Sequence, residues 1–192
     1  MFLKKIVSYY FKHFNIFIFF PGHKKEEIEI DSKFEFKMIS REDVILFEDL
    51  NLKSEYLSVL KNRLDNESFY CFGIIDKEKS QLVYYSWINC SNNYLIKEVN
   101  KTYNFSSTKS CLFEDDNTKY NYRGLGLHSY VMIKRINFCL EYGIKKIYII
   151  IDPNNLPAIK TIKKLGFKRI NIIPFYFRYE SIKSSFFLLK KK

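Results

Sequence analysis

A run of three acids, Glu114-Asp115-Asp116, stands shortly ahead of a glycine turn, Arg123-Gly124-Leu125-Gly126-Leu127-His128. Carboxylates beside a cleft can take a proton from an attacking nucleophile. A turn with two glycines can aim backbone N–H groups at an anion and let it approach closely. This turn also opens a helical run from Leu125 to Tyr142, and a helix N-terminus adds unpaired N–H groups and the positive end of a dipole. Proton transfer next to a phosphate cradle is the chemistry these residues allow.

Strand periodicity relates the acids to one another. Ser110 to Thr118 reads as a strand leading into the turn, so Glu114, Asp116 and Thr118 share one face, and Asp115 and Asn117 share the other. On that reading Glu114 and Asp116 face one cleft, where two like charges raise a pKa and favour base action near neutrality. The bland alternative is a solvated strand end. Downstream come Asn155-Leu156-Pro157-Ala158 and Leu165-Gly166-Phe167. With the apolar strand Lys146 to Ile151 between them, the two motifs suggest a pyrophosphate cradle for an acyl-coenzyme A donor.

The elements that must position these residues follow from pattern. Asn15 to Phe20 reads as a strand, preceded by a short amphipathic helix. Glu27 to Ile39 alternates as a half-buried strand, with Ile28, Ile30, Phe34, Phe36 and Met38 interleaved with polar residues. Ser40 is a helix N-cap, with Glu42 and Asp43 in the first turn of a segment running with interruptions to Leu64. Phe69 to Ile75 and Gln81 to Cys90 form a hairpin. Tyr94 to Val99 is a short strand, and Asn100 to Ser107 is irregular. Leu127, Val131, Ile133, Ile136 and Leu140 line one helix face, which Gly143 closes. A helix from Leu156 to Leu165 follows, then strands Arg169 to Tyr179 and Ser184 to Leu189. This order predicts an α/β (α+β) fold, a mixed sheet with helices on both faces.

Composition bounds the rest. The 192 residues are expected to form a single domain, and 47% hydrophobic content argues against disorder. The formal charge of +11 attracts anions, but Lys, Asn, Ile, Phe and Tyr are abundant together, so the excess reads first as compositional bias. No nucleic-acid motif accompanies it. Cys71, Cys90, Cys111 and Cys139 form no C-x-x-C pair, and the histidines are scattered; this is neither zinc spacing nor a disulfide framework. Reduced thiols and a cytoplasmic location are expected. Lys12 and His13 interrupt the apolar N-terminus, so no membrane span is expected there. A signal peptide fits poorly, with no small-residue cleavage site after Phe20. Packing of that segment on the domain is favoured over contact of Lys4, Lys5 and Lys12 with an anionic membrane surface.

From Ser110 to Tyr179 the chain resembles the GNAT acyltransferase superfamily. Asn121-Tyr122-Arg123-Gly124-Leu125-Gly126 fits the family's Arg/Gln-x-x-Gly-x-Gly/Ala turn except for Asn121, and Asn155, Ala158 and Leu165-Gly166-Phe167 fit its second motif. The resemblance implies a mostly antiparallel central sheet, a donor-binding core over 110–179 and an N-terminal extension over 1–26. It implies direct transfer of an acetyl or other short acyl group from acyl-CoA to a primary amine of a small molecule, such as an amino sugar or nucleotide-linked amino sugar, without metal. Amides of Gly124, Leu125, Gly126, Leu127 and His128 would hold the pyrophosphate, and Arg123 would support the turn or meet phosphate. Asn117 and Thr118 would serve the donor through backbone, and Asn155 would contact pantetheine or cap the last helix. Glu114 or Asp116 is the expected base. The family's usual acid, a tyrosine, is replaced by Ile162, which leaves Tyr120, Tyr122 or water. Tyr85 and Trp87 are expected to line the acceptor cleft. The resemblance also allows a homodimer, an acyl carrier protein as donor, and a silent CoA-binding module. His128 stands where the motif has Gly or Ala, so its side chain must either turn away from phosphate or touch it.

Overall fold

The computed structural model describes residues 11–50, 52–91, 93–96, 101–104, 109–180 and 183–188. They form two compact units. The larger comprises Phe20–Ser91 and Lys109–Ile147. It contains four antiparallel strands in the order β7-β4-β3-β2: β2 (Phe34–Ile39), β3 (Phe69–Asp76), β4 (Gln81–Asn89) and β7 (Ser110–Thr118). Every residue of β4 after Gln81 is buried, as a strand covered on both faces requires.

One face of this sheet carries a 3-10 helix (Arg41–Leu50) and α1 (Ser54–Leu64). Ser40 starts the 3-10 segment as its sequence suggests. Its hydroxyl bonds Glu42 and Asp43, and its amide donates back to the Asp43 carboxylate at 3.0 Å. Ile39, Phe47, Leu60, Cys71, Leu82, Tyr85 and Trp87 form the core on this side. The other face carries α2 (Leu127–Glu141), where Phe138 packs edge-on to Phe72 with ring centroids 5.2 Å apart.

The smaller unit takes in Met1–Phe19, Asn92–Thr108 and Tyr148–Lys192. Its strand β9 (Lys168–Glu180) pairs antiparallel with both β1 (Phe11–Phe19) and β10 (Lys183–Leu188). Strand β8 (Lys146–Ile151) leads into it, and α3 (Leu156–Lys164) follows. The Asn155 side chain caps α3 by accepting from Ala158 N at 3.3 Å, with a proline in the first turn and Lys163 and Lys164 in the last. Phe167 stacks on Phe19 at 5.1 Å. A separate hairpin joins β5 (Asn93–Ile96) to β6 (Lys101–Asn104).

The α/β class holds, with antiparallel pairing throughout the larger unit and helices on both faces of its sheet. Three local expectations change. Residues 11–14 extend β1 rather than an N-terminal helix, because they pair with β9; the rest of that expected helix lies outside the described residues. The stretch before Phe34 is not strand: alternation reaches back to Glu27, but β3 runs out of pairing partners at Phe34–Asp76. Lys101–Asn104 is strand rather than irregular, held by pairing with Asn93–Ile96. Among the described residues no helix is long and apolar enough to cross a membrane.

Candidate active site

The donor turn is built as its glycines suggest. Gly124 and Gly126 both take left-handed backbone, with φ of 80° and 78°, a conformation that costs an L side chain roughly 1–2 kcal/mol. A Cβ at either position would meet nothing within 4 Å, so the space before the turn is open. Helix α2 makes its first backbone bond from Tyr130 N to Gly126 O at 3.1 Å. Among the described residues, the amides from Gly124 to Ser129 have no backbone acceptor. This is the set of free donors a pyrophosphate needs. Arg123 supports the turn: its Nε reaches the Thr118 carbonyl at 3.4 Å, and its guanidinium lies 5.4 Å from the centre of the Tyr120 ring.

Upstream of the turn, β7 breaks its own periodicity. Trp87 pairs with Glu114 and Tyr85 with Asn117, so Ser86 alone faces both Asp115 and Asp116. This is a β-bulge. Asp115 takes the strain, with a left-handed φ of 52°. Beyond the bulge, Lys119 N donates to Val83 O at 2.9 Å, and alternation turns the Thr118 N–H toward the opposite edge of β7. That amide is free of the β4–β7 ladder, whereas Asn117 lies in a pair that bonds across it.

The bulge overturns the expected sharing of faces by Glu114 and Asp116. The extra residue shifts the alternation by one, so Glu114, Asp115 and Asn117 face α1 while Asp116 faces α2. On the α1 side, Arg63 bridges the first two acids. Its Nη2 lies 3.0 Å from Glu114 Oε1, and its Nη1 bonds Asp115. The guanidinium also sits over Trp87 and Phe69, 5.5 and 5.4 Å from their ring centres. Burial works to lower the Arg63 pKa, and Glu114 and then Asp115 outweigh it, so the guanidinium stays charged. Asn117 Nδ2 donates to the Tyr85 hydroxyl at 3.4 Å. The neighbouring Tyr56 phenol is pushed well up by burial and then by the Asp115 charge.

On the α2 side, Arg135 has no solvent exposure. It donates to Asp116 Oδ1 at 2.5 Å and to the Trp87 carbonyl, with its Cζ 4.0 Å from the Phe113 ring centre. The Tyr84 hydroxyl donates to Asp116 Oδ1 at 2.9 Å and meets His128 Nδ1 at 3.2 Å. A phenol that donates to a carboxylate can only accept from the imidazole, which assigns the proton to Nδ1. Burial, helped by Arg135 and opposed by Asp116, lowers the His128 pKa and keeps the ring neutral. Its side chain therefore turns inward, away from the phosphate cradle.

Two further expectations are corrected. Tyr85 and Trp87 line no open cleft: they are 1% and 0% exposed and belong to the core beneath α1. Tyr122 is committed elsewhere, its hydroxyl donating to Asp76 at 2.8 Å and accepting from Lys79 at 3.1 Å. Tyr120 is 80% exposed and keeps its hydroxyl without a partner among the described residues. Ile162, in the position of the expected phenol, is fully buried in α3. Asn155 and Phe167 belong to the smaller unit and are described there. All four cysteines are free thiols, and among the described residues no group of three His, Cys, Asp or Glu could hold a metal ion.

Arg63, Arg135, Tyr84 and Tyr56 emerge only from the structure. Arg135 left a trace: it continues the row Leu127, Val131, Cys139 at steps of four, a charge within the buried stripe of α2.

Residues 118–167 match the model of the Acetyltransferase (GNAT) family. The fold matches solved GNAT structures. A tandem GNAT protein from the clavulanic acid biosynthesis pathway aligns with a TM-score of 0.62 at 11% identity, over 86% of this chain and 53% of that one. A GCN5-related N-acetyltransferase from Sphaerobacter thermophilus aligns at 0.61 and 9% identity, over 88% and 53%. The aminoglycoside 6'-N-acetyltransferase AAC(6')-Ih from Acinetobacter baumannii aligns at 0.55 and 10% identity, over 78% and 97%. The chain spans about half the length of the first two. No curated protein sequence matches it. The resemblance to the GNAT family read from the motifs stands, and the fold is that of these acetyltransferases.

Proposed function

We propose that this GNAT-fold protein is a cytoplasmic N-acetyltransferase that moves an acetyl or short acyl group from acyl-CoA to a primary amine of a small molecule, an amino sugar or nucleotide-linked amino sugar. One observation carries the reading. Two left-handed glycines open α2 onto a row of unpartnered amides, directly after a bulged strand that ends in acids. The donor segment lies where the family model matches. The solved acetyltransferases of the same fold include an aminoglycoside enzyme, which supports an amine acceptor.

The residues then divide the work. Amides from Gly124 to His128 bind the donor's pyrophosphate, and Arg123 holds the turn that presents them. Acyl-CoA, once bound, supplies the activated thioester. The Thr118 N–H, turned out of the β4–β7 ladder, lies on the edge where a donor can pair and polarise a carbonyl oxygen. Glu114, buried beside Arg63, takes the amine proton through a bridging water. Asp116 is withdrawn from the base role, because Arg135 and Tyr84 hold it on the other face. Tyr120, exposed and free, or water returns a proton to the leaving thiolate.

The test is a CoA-release assay with acetyl-CoA over amino sugars, nucleotide-linked amino sugars, amino acids and peptide amines, repeated with an acyl carrier protein donor. Turnover with acetyl-CoA on an amino sugar is expected. Tight CoA binding with no release on any amine would replace this reading with a silent CoA-binding module, to which the buried Ile162 in the phenol's place already points.

A further inference from the structure

The larger unit holds a cavity of about 400 Å³ between the β3–β4 turn and the segment leading into the donor glycines. Lys79, Gln81, Lys119, Tyr120, Asn121 and Tyr122 line it. We propose that this cavity binds a phosphoryl group distinct from the pyrophosphate held by the glycine turn.

The argument rests on how its two ammonium groups are held. Lys119 Nζ donates to Gln81 Oε1 at 2.7 Å. Lys79 Nζ donates to the Tyr122 hydroxyl at 3.1 Å and lies 5.3 Å from that ring's centre. Both anchors are neutral, so they orient the charge without cancelling it. Among the described residues neither Lys79 nor Lys119 has a carboxylate within ion-pair distance, and, unlike other unpaired surface lysines such as Lys77 and Lys145, the two line one cavity and are each held by a neutral side chain. Of the two acids whose charge reaches Lys79, Asp76 and Glu78, Asp76 is spent on the Tyr122 hydroxyl and on the amides of Glu78 and Lys79. Its bond to Tyr122 stiffens the phenol that positions Lys79.

The lining also favours phosphate over carboxylate. It contains no guanidinium to fork around a planar carboxylate, but it has two point charges, which suit the several oxygens of a phosphoryl group. Asn121 and Tyr120, both exposed, add neutral donors at the rim. Two positive charges balance a phosphate monoester dianion. The pocket stands independently of acyl transfer, but its source of phosphate rests on that reading. Either the acceptor is phosphorylated, or the donor's ribose 3'-phosphate reaches the cavity.

The experiment is calorimetric titration of the full chain with two ligand pairs: CoA against 3'-dephospho-CoA, and glucosamine 6-phosphate against glucosamine. Wild-type protein is compared with the Lys79→Ala/Lys119→Ala double variant. In one pair the phosphorylated member is expected to bind about tenfold or more tightly, as a charge-assisted contact allows. That gap should close in the double variant, with its melting temperature unchanged, and should narrow with added salt. A gap in the sugar pair assigns the acceptor's phosphate, and a gap in the CoA pair the donor's. No gap in either pair, or a gap that survives loss of both lysines, overturns the proposal. A gap kept in the sugar pair with no CoA binding at all would sink the acyltransferase reading and leave the pocket standing.

Discussion

Two arginines meet three consecutive acids on opposite faces of β7, and they do different work. Arg63 is half-open: its side chain keeps 15% exposure, it lies over two aromatic rings, and it shares itself between Glu114 and Asp115. Arg135 is closed. It is fully buried, carries one acid alone, and spends its second arm on the Trp87 carbonyl beside the bulge. The first arrangement buries the Glu114 carboxylate and leaves Asp115 partly exposed. The second pins the strand irregularity itself and, through Tyr84 and His128, ties it to the first turn of the donor helix. The lesson is that neighbouring carboxylates are separated onto different faces and different partners by what lies across the sheet, not by their order in the chain.

The comparison breaks most sharply at Arg135. Arg135→Met removes a charge-assisted bond from a fully buried guanidinium to the partly exposed Asp116 carboxylate, a loss of about 1.5–3 kcal/mol. Urea denaturation should show that loss, and Arg135→Met combined with Asp116→Asn should recover part of it. A single variant as stable as wild type would show that the closed pair does not hold the bulge. Next comes the chemistry. Glu114→Gln should lower kcat by about a hundredfold or more while leaving CoA affinity near its original value. Asp116→Asn should instead reduce stability and weaken CoA binding, with kcat less affected. Steady-state kinetics beside calorimetry separates these, and the reverse pattern would return the base role to Asp116.

A smaller effect tests the far end of the closed network. The His128 pKa is lowered in the fold by burial and Arg135, against Asp116. Above the ordinary imidazole range the ring is neutral in folded and unfolded chains alike, and its contribution is complete. As pH falls below that range, the unfolded chain takes up the proton first. Stability therefore drains away until the folded imidazole also titrates. His128→Gln should flatten the stability profile as pH falls through and below the ordinary imidazole range, and an unchanged slope would assign the effect to other groups. The smallest change is expected at Asp115, the left-handed residue of the bulge. Asn tolerates that backbone well, so Asp115→Asn should lose only the exposed half of the Arg63 bridge, worth about 1 kcal/mol or less in denaturation. A large loss would mean that the open arrangement is as structural as the closed one.

Much of the donor side was legible because its physics is local. A glycine that must take positive φ, a helix that begins beyond it and an asparagine that caps a helix are all decided within a few residues. The structure keeps Gly124, Gly126, Gly143 and Asn155 in those conformations and caps. The acceptor side was less legible. Tyr85 and Trp87 carry aromatic surface that serves a cleft or a core equally well, and only the packing of Phe47 and Leu60 over them settles it as core.

The sequence by itself determined the strand that ends in acids, the turn that follows, and the helix whose free amides face outward, since backbone preference and hydrophobic period act over short range. Only the tertiary structure decided which acid faces which helix. The bulge arises from the register between β4 and β7, and its two faces are sealed by Arg63 and Arg135, drawn from separate helices. A one-residue slip in a strand reverses every side chain beyond it. No period read along the chain can show that slip, because the partner that creates it lies across the sheet.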